Sequence, residues 1–345
     1  MSDKKMTVIA LDCMGGDFAP AEQVKGACMA VNAGENIKVI LFGDEALVKA
    51  ELSKYTYDNN RISIVPSFSV IDNCESPAQA IRQKKDSSMV LGMKAVRDKE
   101  ADAFVSCGST GAMVVGGQTI IGRAYGIKRA ALAFLVPSLK NPVLILDCGA
   151  NADTKAEALV QFALMGSVYM KSCLGLENAR VGILNNGEEE SKGNAVVKEA
   201  FPLLKNCRGI NFIGSVESRG ITEGLADVCV CEGFVGNAIL KMYEGVAGTI
   251  LTVMKEAMTK NIKTKLGAFL IKNDLKDSLK QFSIEEYGGA PLLGLKSLVV
   301  KPHGSSKAVE IKNAILQCEK AIETDMAAKI EEILKENPEV LNNGI

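Results

Sequence analysis

Six glycine-bearing segments of this 345-residue chain carry the residue types best suited to chemistry. They are Asp12-Cys13-Met14-Gly15-Gly16-Asp17, Cys107-Gly108-Ser109-Thr110-Gly111-Ala112, Asp147-Cys148-Gly149-Ala150-Asn151, the run from Asn185 to Asn194, Cys231-Glu232-Gly233-Phe234-Val235-Gly236-Asn237, and Lys301-Pro302-His303-Gly304-Ser305-Ser306. Glycine lets backbone N–H groups approach a ligand, and a helix opening behind the loop adds partial positive charge. Such loops suit phosphate or a similar oxyanion. Any one of them is explained as readily by a tight strand-to-helix turn; six at one sheet edge point to anion binding.

Within these loops Lys192 stands out. It precedes an expected helix over 194–201, where a cation opposes the helix dipole and acids such as Glu188, Glu189 and Glu190 are preferred. An anion in the loop would account for it; a solvated lysine neutralising those glutamates would too. Asn237 opens another helix, either as an ordinary N-cap or as an amide donor to a developing oxyanion. His303, the only histidine, either lines the site with Ser305 or sits in a turn. Asp12 and Asp17 would repel phosphate if exposed to it and are expected to hold loop amides instead.

Several familiar chemistries are excluded. No two glycines stand at i, i+2, so the GxGxxG dinucleotide fingerprint is absent, as is GxxxxGK. GxSxG is missing, which removes the nucleophile elbow of α/β-hydrolases. A single histidine rules out a multi-histidine metal site, and the ten cysteines form no CxxC pair. They read as small buried hydrophobes, Cys229 and Cys231 sharing one strand face.

The elements that must position these loops are legible as short β-branched runs: 7–11, 37–42, 62–65, 103–106, 132–136, 143–146, 181–184, 210–213, 228–231 and 298–300. Most are separated by helical periodicity, and strands apolar on both faces imply a mainly parallel sheet covered on each side. The expected fold is α/β, a three-layer α/β/α sandwich forming one domain over 1–345. The runs 132–136 and 143–146, divided by Pro137, Asn141 and Pro142, are expected to form an antiparallel hairpin. From 234 to 282 the chain reads as two helices with an apolar stripe through Ile239, Tyr243, Val246, Ile250, Met254 and Met258, then Leu266, Phe269, Leu270, Leu275, Leu279 and Phe282. A long helix is expected over 306–336.

Composition sets the remaining bounds. Forty basic and 41 acidic residues give a net charge of −1, and aromatics make up 5% with no Trp, so neither a global field nor stacking platforms favour nucleic acid. The polar Met1–Lys5 and the short apolar run behind it do not form a signal peptide, and the uncharged window 103–122 is broken by five glycines. A cytoplasmic protein is expected. Lys255, Lys260, Lys263, Lys265, Lys272, Lys276 and Lys280 outnumber Glu256, Asp274 and Asp277 on the helical pair, whose stripe suits a dimer interface, an anionic membrane surface, or both.

In order along most of the chain, Ile9 to Asp17, Gly108-Ser109-Thr110-Gly111-Ala112, Leu184 to Gly193, Gly233-Phe234-Val235-Gly236-Asn237, Gly288-Gly289-Ala290-Pro291-Leu292-Leu293-Gly294 and His303-Gly304-Ser305-Ser306 resemble the motif series of bacterial phosphate acyltransferases. Cys13 and Ser109 depart from the alanine and asparagine usual there. The resemblance implies an isocitrate/isopropylmalate dehydrogenase-like fold and a homodimer without metal, nucleotide or other cofactor. It implies fatty acyl transfer from acyl carrier protein to inorganic phosphate, giving acyl phosphate for glycerol 3-phosphate acylation. Lys192 and Asn237 would then be catalytic, with Gly15, Gly16, Ser109, Thr110, Gly111, Asn151, Asn185, Gly187, Gly236, His303 and Ser305 lining the phosphate and substrate site. Two alternatives stay open: a short-chain phosphotransacetylase using coenzyme A, and a non-catalytic acyl-carrier or lipid-binding module.

Overall fold

The computed structural model describes residues 6–34, 36–280 and 287–342, without the side chains of Lys276, Asp277, Leu279, Lys280 and Asn342. Met1–Lys5, and the end of the expected helical stripe at Leu279 and Phe282, therefore lie outside what is described. Strands are β1 (Thr7–Asp12), β2 (Ile37–Gly43), β3 (Ile62–Pro66), β4 (Ala103–Val105), β5 (Ala131–Leu132), β6 (Phe134–Val136), β7 (Val143–Leu146), β8 (Arg180–Leu184), β9 (Asn211–Val216), β10 (Val228–Val230), β11 (Ala290–Leu293) and β12 (Leu298–Lys301).

They form two sheets, ordered β3-β2-β1-β4-β12-β11-β5 and β6-β7-β10-β8-β9. Pairing is parallel except around β11 and between β6 and β7. The six loops thus do not share one edge: three follow β1, β4 and β12 on the first sheet, and three follow β7, β8 and β10 on the second.

Alternation explains the layers. In β1, Ile9 and Leu11 point to one face and pack with Val24 and Ala27 of the helix Ala21–Ala33 and Ile311 and Ile315 of the helix Ala308–Glu323. Ala10 points to the other, among Phe104, Met89 and Met93. Since both faces of the strand are apolar, helices must cover both. The helix Ala156–Leu174 carries the first of these cores into the second sheet, where Leu159 and Phe162 join Leu144, Leu146, Val181 and Val228.

Three departures from the sequence expectation have physical causes. The expected run 132–136 is split at Ala133, whose N–H donates to Pro291 O, so Leu132 belongs with Ala131 to β5 in the first sheet while β6 forms the expected hairpin with β7 in the second. β11 carries Pro291 between glycine-rich flanks, and a proline argues against a central strand. The expected helix over 306–336 is interrupted. It becomes Ala308–Glu323 and Met326–Lys335, with Asp325 left-handed at φ 50°, a conformation its short polar side chain tolerates. The break turns Met326 toward Cys173 of the helix Ala156–Leu174.

At the amino ends of β8 and β10, Asp227 accepts from Arg180 Nε and Nη2, both at 2.9 Å. Burial would raise the Asp227 carboxyl, but the Arg180 bonds outweigh it and the net direction is down. A carboxylate lowered on folding stabilises above its unfolded pKa, near 3.9, and loses that contribution as pH falls through its folded value. Asp227→Asn is expected to cost about 1–3 kcal/mol at neutral pH and to flatten the acid limb of a urea-melt stability profile. An acid limb as steep as the parent's would count against the pair's role.

Candidate active site

The first three loops are braced by buried carboxylate and backbone bonds. Asp12 Oδ1 accepts from the N–H groups of Met14 and Gly15 at 3.0 and 3.1 Å, and Oδ2 from Ser106 Oγ at 2.7 Å, tying the β1 and β4 loops together. That matches the role expected of Asp12. Asp17 differs: exposed, it receives no loop amide among the described residues, and only its own N–H is engaged, donating to Gly304 O at 2.8 Å. Gln23 Nε2 donates to Gly15 O at 2.7 Å. Gly16, at φ +98°, must be glycine, since a Cβ would stand 2.7 Å from Cys107 Cβ and 3.0 Å from Gly304 O. Gly15, Gly16 and Gly304 thus bring the β1, β4 and β12 loops into contact.

Some expected ligands are committed to the scaffold. Ser109 is buried and caps the helix Thr110–Gly116, accepting from Ala112 N at 3.4 Å. Cys13 is fully buried against Gly43, so both departures from the family pattern are committed to the scaffold. Gly111 packs on Pro77, and Thr110 beside it is half-buried. His303 Nδ1 and Ser305 Oγ lie 2.8 Å apart, both residues exposed, and His303 Nε2 makes no hydrogen bond among the described residues. The N-terminus of the helix Ala308–Glu323 behind them is already occupied by carboxylates: Glu310 accepts from Lys307 N and Glu22 from Ala308 N.

The second set is organised around Asp147, which the sequence reading did not single out. Wholly buried, it accepts from Leu132 N, Gly149 N and Ala150 N through Oδ1, and from Asn151 N and Nδ2 through Oδ2. Burial pushes its carboxyl above the ordinary range, opposed by the bonds from Ala150, Asn151 and Leu132. Because Leu132 belongs to β5, this one carboxylate links the β7 loop to the first sheet. Asn151 spends its amide here and on Ala130 O at 2.8 Å, which makes it a brace rather than an open donor.

The helix Gly233–Thr259 starts against this loop. Gly233 N donates to Asn151 O at 3.0 Å, and Asn237 lies over Gly149, where a Cβ would be 3.6 Å from Asn237 Oδ1. Asn237 is exposed and its amide makes no hydrogen bond among the described residues; it is not the N-cap, a position held by Glu232. In the β8 loop, Asn185 donates to Ser215 Oγ at 3.0 Å and accepts from Asn186 N, a turn-holding role. Gly187 is buried beneath the Lys192 stem.

Lys192 is exposed, and among the described residues its ammonium has no carboxylate within ion-pair distance; Glu190 pairs with Lys205 instead. The expected helix begins at Ala195, capped by Asn194, whose Nδ2 also donates to Glu232 at 2.7 Å. That bond fastens the Lys192 loop to the helix bearing Asn237.

Asn237, Lys241 and Glu244 occupy one face of their helix at spacings of four and three. Lys241 and Glu244 both act on the charge of Lys301 at the end of β12, as does Asp17.

Sequence comparison places the chain in a family. A family described as "Fatty acid synthesis protein" matches residues 7–329. Phosphate acyltransferase from Clostridium perfringens is 46% identical over 330 residues, covering 95% of this chain and 97% of that one. The chain belongs to the phosphate acyltransferase family. A second phosphate acyltransferase, from Halothermothrix orenii, is 45% identical over 96% of this chain and 99% of its own length. The fold is similar to that of EutD phosphotransacetylase from Staphylococcus aureus, with a TM-score of 0.59 at 18% identity, covering 91% of this chain and 94% of that one.

Proposed function

We propose that this phosphate acyltransferase moves a fatty acyl group from the thioester of acyl carrier protein to inorganic phosphate. The acyl phosphate formed would serve glycerol 3-phosphate acylation in phospholipid synthesis. The observation carrying this reading is the Asn194–Glu232 bond, which ties the loop of Lys192 to the start of the helix bearing Asn237, the ammonium and the amide of those two residues having no hydrogen-bond or ion-pair partner among the described residues. The fatty character of the acyl group is supported by the family description.

The chemistry follows from charge. Phosphate is a weak nucleophile in water because its oxygens are strongly hydrated; loop N–H groups and Lys192 replace that shell and set the direction of attack. A phosphate oxygen bonds to the thioester carbon, and Asn237 donates to the oxygen that becomes anionic. The C–S bond then breaks and the electron pair leaves on sulfur. A thiol of pKa about 8.5 leaves without a dedicated acid, so a histidine-poor site suffices.

Offering acyl carrier protein thioester, acyl-CoA and acetyl-CoA separately with phosphate, and trapping product with hydroxylamine, tests the donor. Acyl hydroxamate from the carrier thioester is expected to exceed that from either CoA ester. Preference for acetyl-CoA would make the chain a short-chain phosphotransacetylase, and no product from any donor would leave a binding module.

The helices Gly233–Thr259 and Ile262–Lys280 carry the expected stripe. In the first, only Gly233, Gly236 and Leu240 are buried and Ile250 is exposed; in the second, Leu266 and Phe269 are exposed. An apolar surface of this extent calls for a partner, and a second copy of the chain is proposed to cover it, with the lysine-bearing tip reaching an anionic bilayer. No described helix is long and apolar enough to cross a membrane. Light scattering is expected to give a dimer mass, and Leu266→Glu with Phe269→Glu to reduce flotation with anionic vesicles. A monomer that does not float would remove both partners. Within this reading the chain works as one domain.

A further inference from the structure

We propose that the loop after β3 is the docking face for the carrier protein, with Phe68 and Val70 meeting an apolar spot on that partner and Arg82 and Lys85 meeting its carboxylates. The inference rests on the proposed reaction and adds to it the surface that delivers the thioester. The loop is built outward from the core. Ile71 is buried in one cluster with Ile81, Met89 and Met93, while Val70 beside it is exposed and Phe68 keeps 82% of its surface in water. Among the described residues outside the helices Gly233–Thr259 and Ile262–Lys280, no large apolar side chain is more exposed.

A singly exposed apolar residue is ordinary. Here the ring and the valine are held rigidly beside unpaired cations, and protein contact surfaces are rich in aromatic residues and arginine. Phe68 N donates to Asp86 O at 3.1 Å, which sets Phe68 against the residue that follows Lys85. Ser69 Oγ donates to Asp86 at 2.7 Å, Ser69 and Ser87 form a β-bridge, and Lys84 Nζ donates to Val70 O at 2.7 Å. A loop strapped in this way has little freedom left to lose on binding. Its acids serve the loop itself: Glu75 pairs with Lys84 at 2.5 Å, Asp86 accepts from Ser69, and Asp72 accepts from Cys74 N. The charges left over are Arg82 and Lys85, both exposed and without a carboxylate in ion-pair distance among the described residues. Such a face fits a partner that presents carboxylates.

Its position suits delivery of a donor. Ser67 N donates to Gly43 O at 2.9 Å, and a Cβ at Gly43 would stand 3.1 Å from Cys13 Cβ and 3.2 Å from Met14 Sδ. A Cβ at Gly111 would meet Pro77 Cγ at 2.6 Å. The face therefore flanks the β1 and β4 loops, which Asp12 ties together through Ser106. The surface proposed for a second copy and for a bilayer lies elsewhere, on the helices that follow β10 of the second sheet.

The full-length enzyme would be compared with Phe68→Ala and with a double variant, Arg82→Glu and Lys85→Glu. The donors are the carrier thioester and an acyl-N-acetylcysteamine thioester, which lacks the carrier protein. Each variant is expected to raise the carrier-thioester KM roughly 10–100-fold and to leave the short donor within about twofold. Added salt should weaken carrier turnover in the parent and have little effect on the charge-reversed variant. A loss confined to the carrier donor in either variant supports the face. Its absence would overturn the inference, whether both carrier KM values stay within twofold of the parent or the short donor loses as much. A change in vesicle flotation or dimer mass with carrier KM unmoved would assign the face to lipid or a second copy and overturn it equally. If the parent turns over no carrier thioester, the proposed reaction fails while the face is still read by calorimetry with the carrier protein. Binding to the parent that weakens more than twofold in a variant would uphold it; equal affinities, or no binding to the parent, would overturn it.

Discussion

Replacing Lys192 by alanine is expected to reduce acyl phosphate formation roughly 10²–10³-fold, the usual consequence of removing one preorganised partner of a developing charge. Stability should barely change, within about 0.5 kcal/mol, because the side chain is exposed and its ammonium has no ion-pair partner among the described residues. Thermal melting and hydroxamate trapping on the same samples separate the two effects. If Lys192 orients phosphate, the loss should appear largely at low phosphate and be partly recovered by Lys192→Arg. If the lysine merely balances Glu188 and Glu189, turnover will be unchanged and its assignment falls. Glu190 already has Lys205 at 2.9 Å, which weakens that alternative in advance.

How much of this was legible in sequence depends on whether the signal was local. Strand runs such as 143–146 are local: each residue of β7 is buried, so an unbroken apolar tetrad identifies it. The helical pair was equally plain from its three-and-four spacing. What stayed hidden was long-range. Nothing within 131–136 announces that Ala133 bonds to Pro291 and divides one run between two sheets. The same limit applies to Asp147, whose importance lies in accepting from Leu132, on the strand that crosses to the other sheet.

In the site, residue type revealed the loops, and connectivity decided the roles. Asn151, Asn185 and Ser109 look like ligands because Asn and Ser are good donors, yet their side chains are engaged in holding turns. Lys192 and Asn237 remain uncommitted.

Gly236→Ala is expected to be the most damaging single-atom-group addition in the chain. A Cβ at Gly236 would fall 1.9 Å from Asp147 O and 3.0 Å from Cys231 Sγ. The first of these is backbone, held by a carboxylate that receives five hydrogen bonds, so it cannot yield cheaply. The helix Gly233–Thr259 would have to lift from the loop, at about 3 kcal/mol or more. Asn237 would move away from Gly149, and acyl transfer should fall with stability. Gly245→Ala supplies the contrast on the same helix: its Cβ meets nothing within 4 Å, and alanine is the better helix former by about 1 kcal/mol. Chemical denaturation should therefore show one glycine-to-alanine change destabilising and the other neutral or stabilising. Equal effects would mean that the contact between Gly236 and Asp147 does not seat the helix, and with it the position of Asn237.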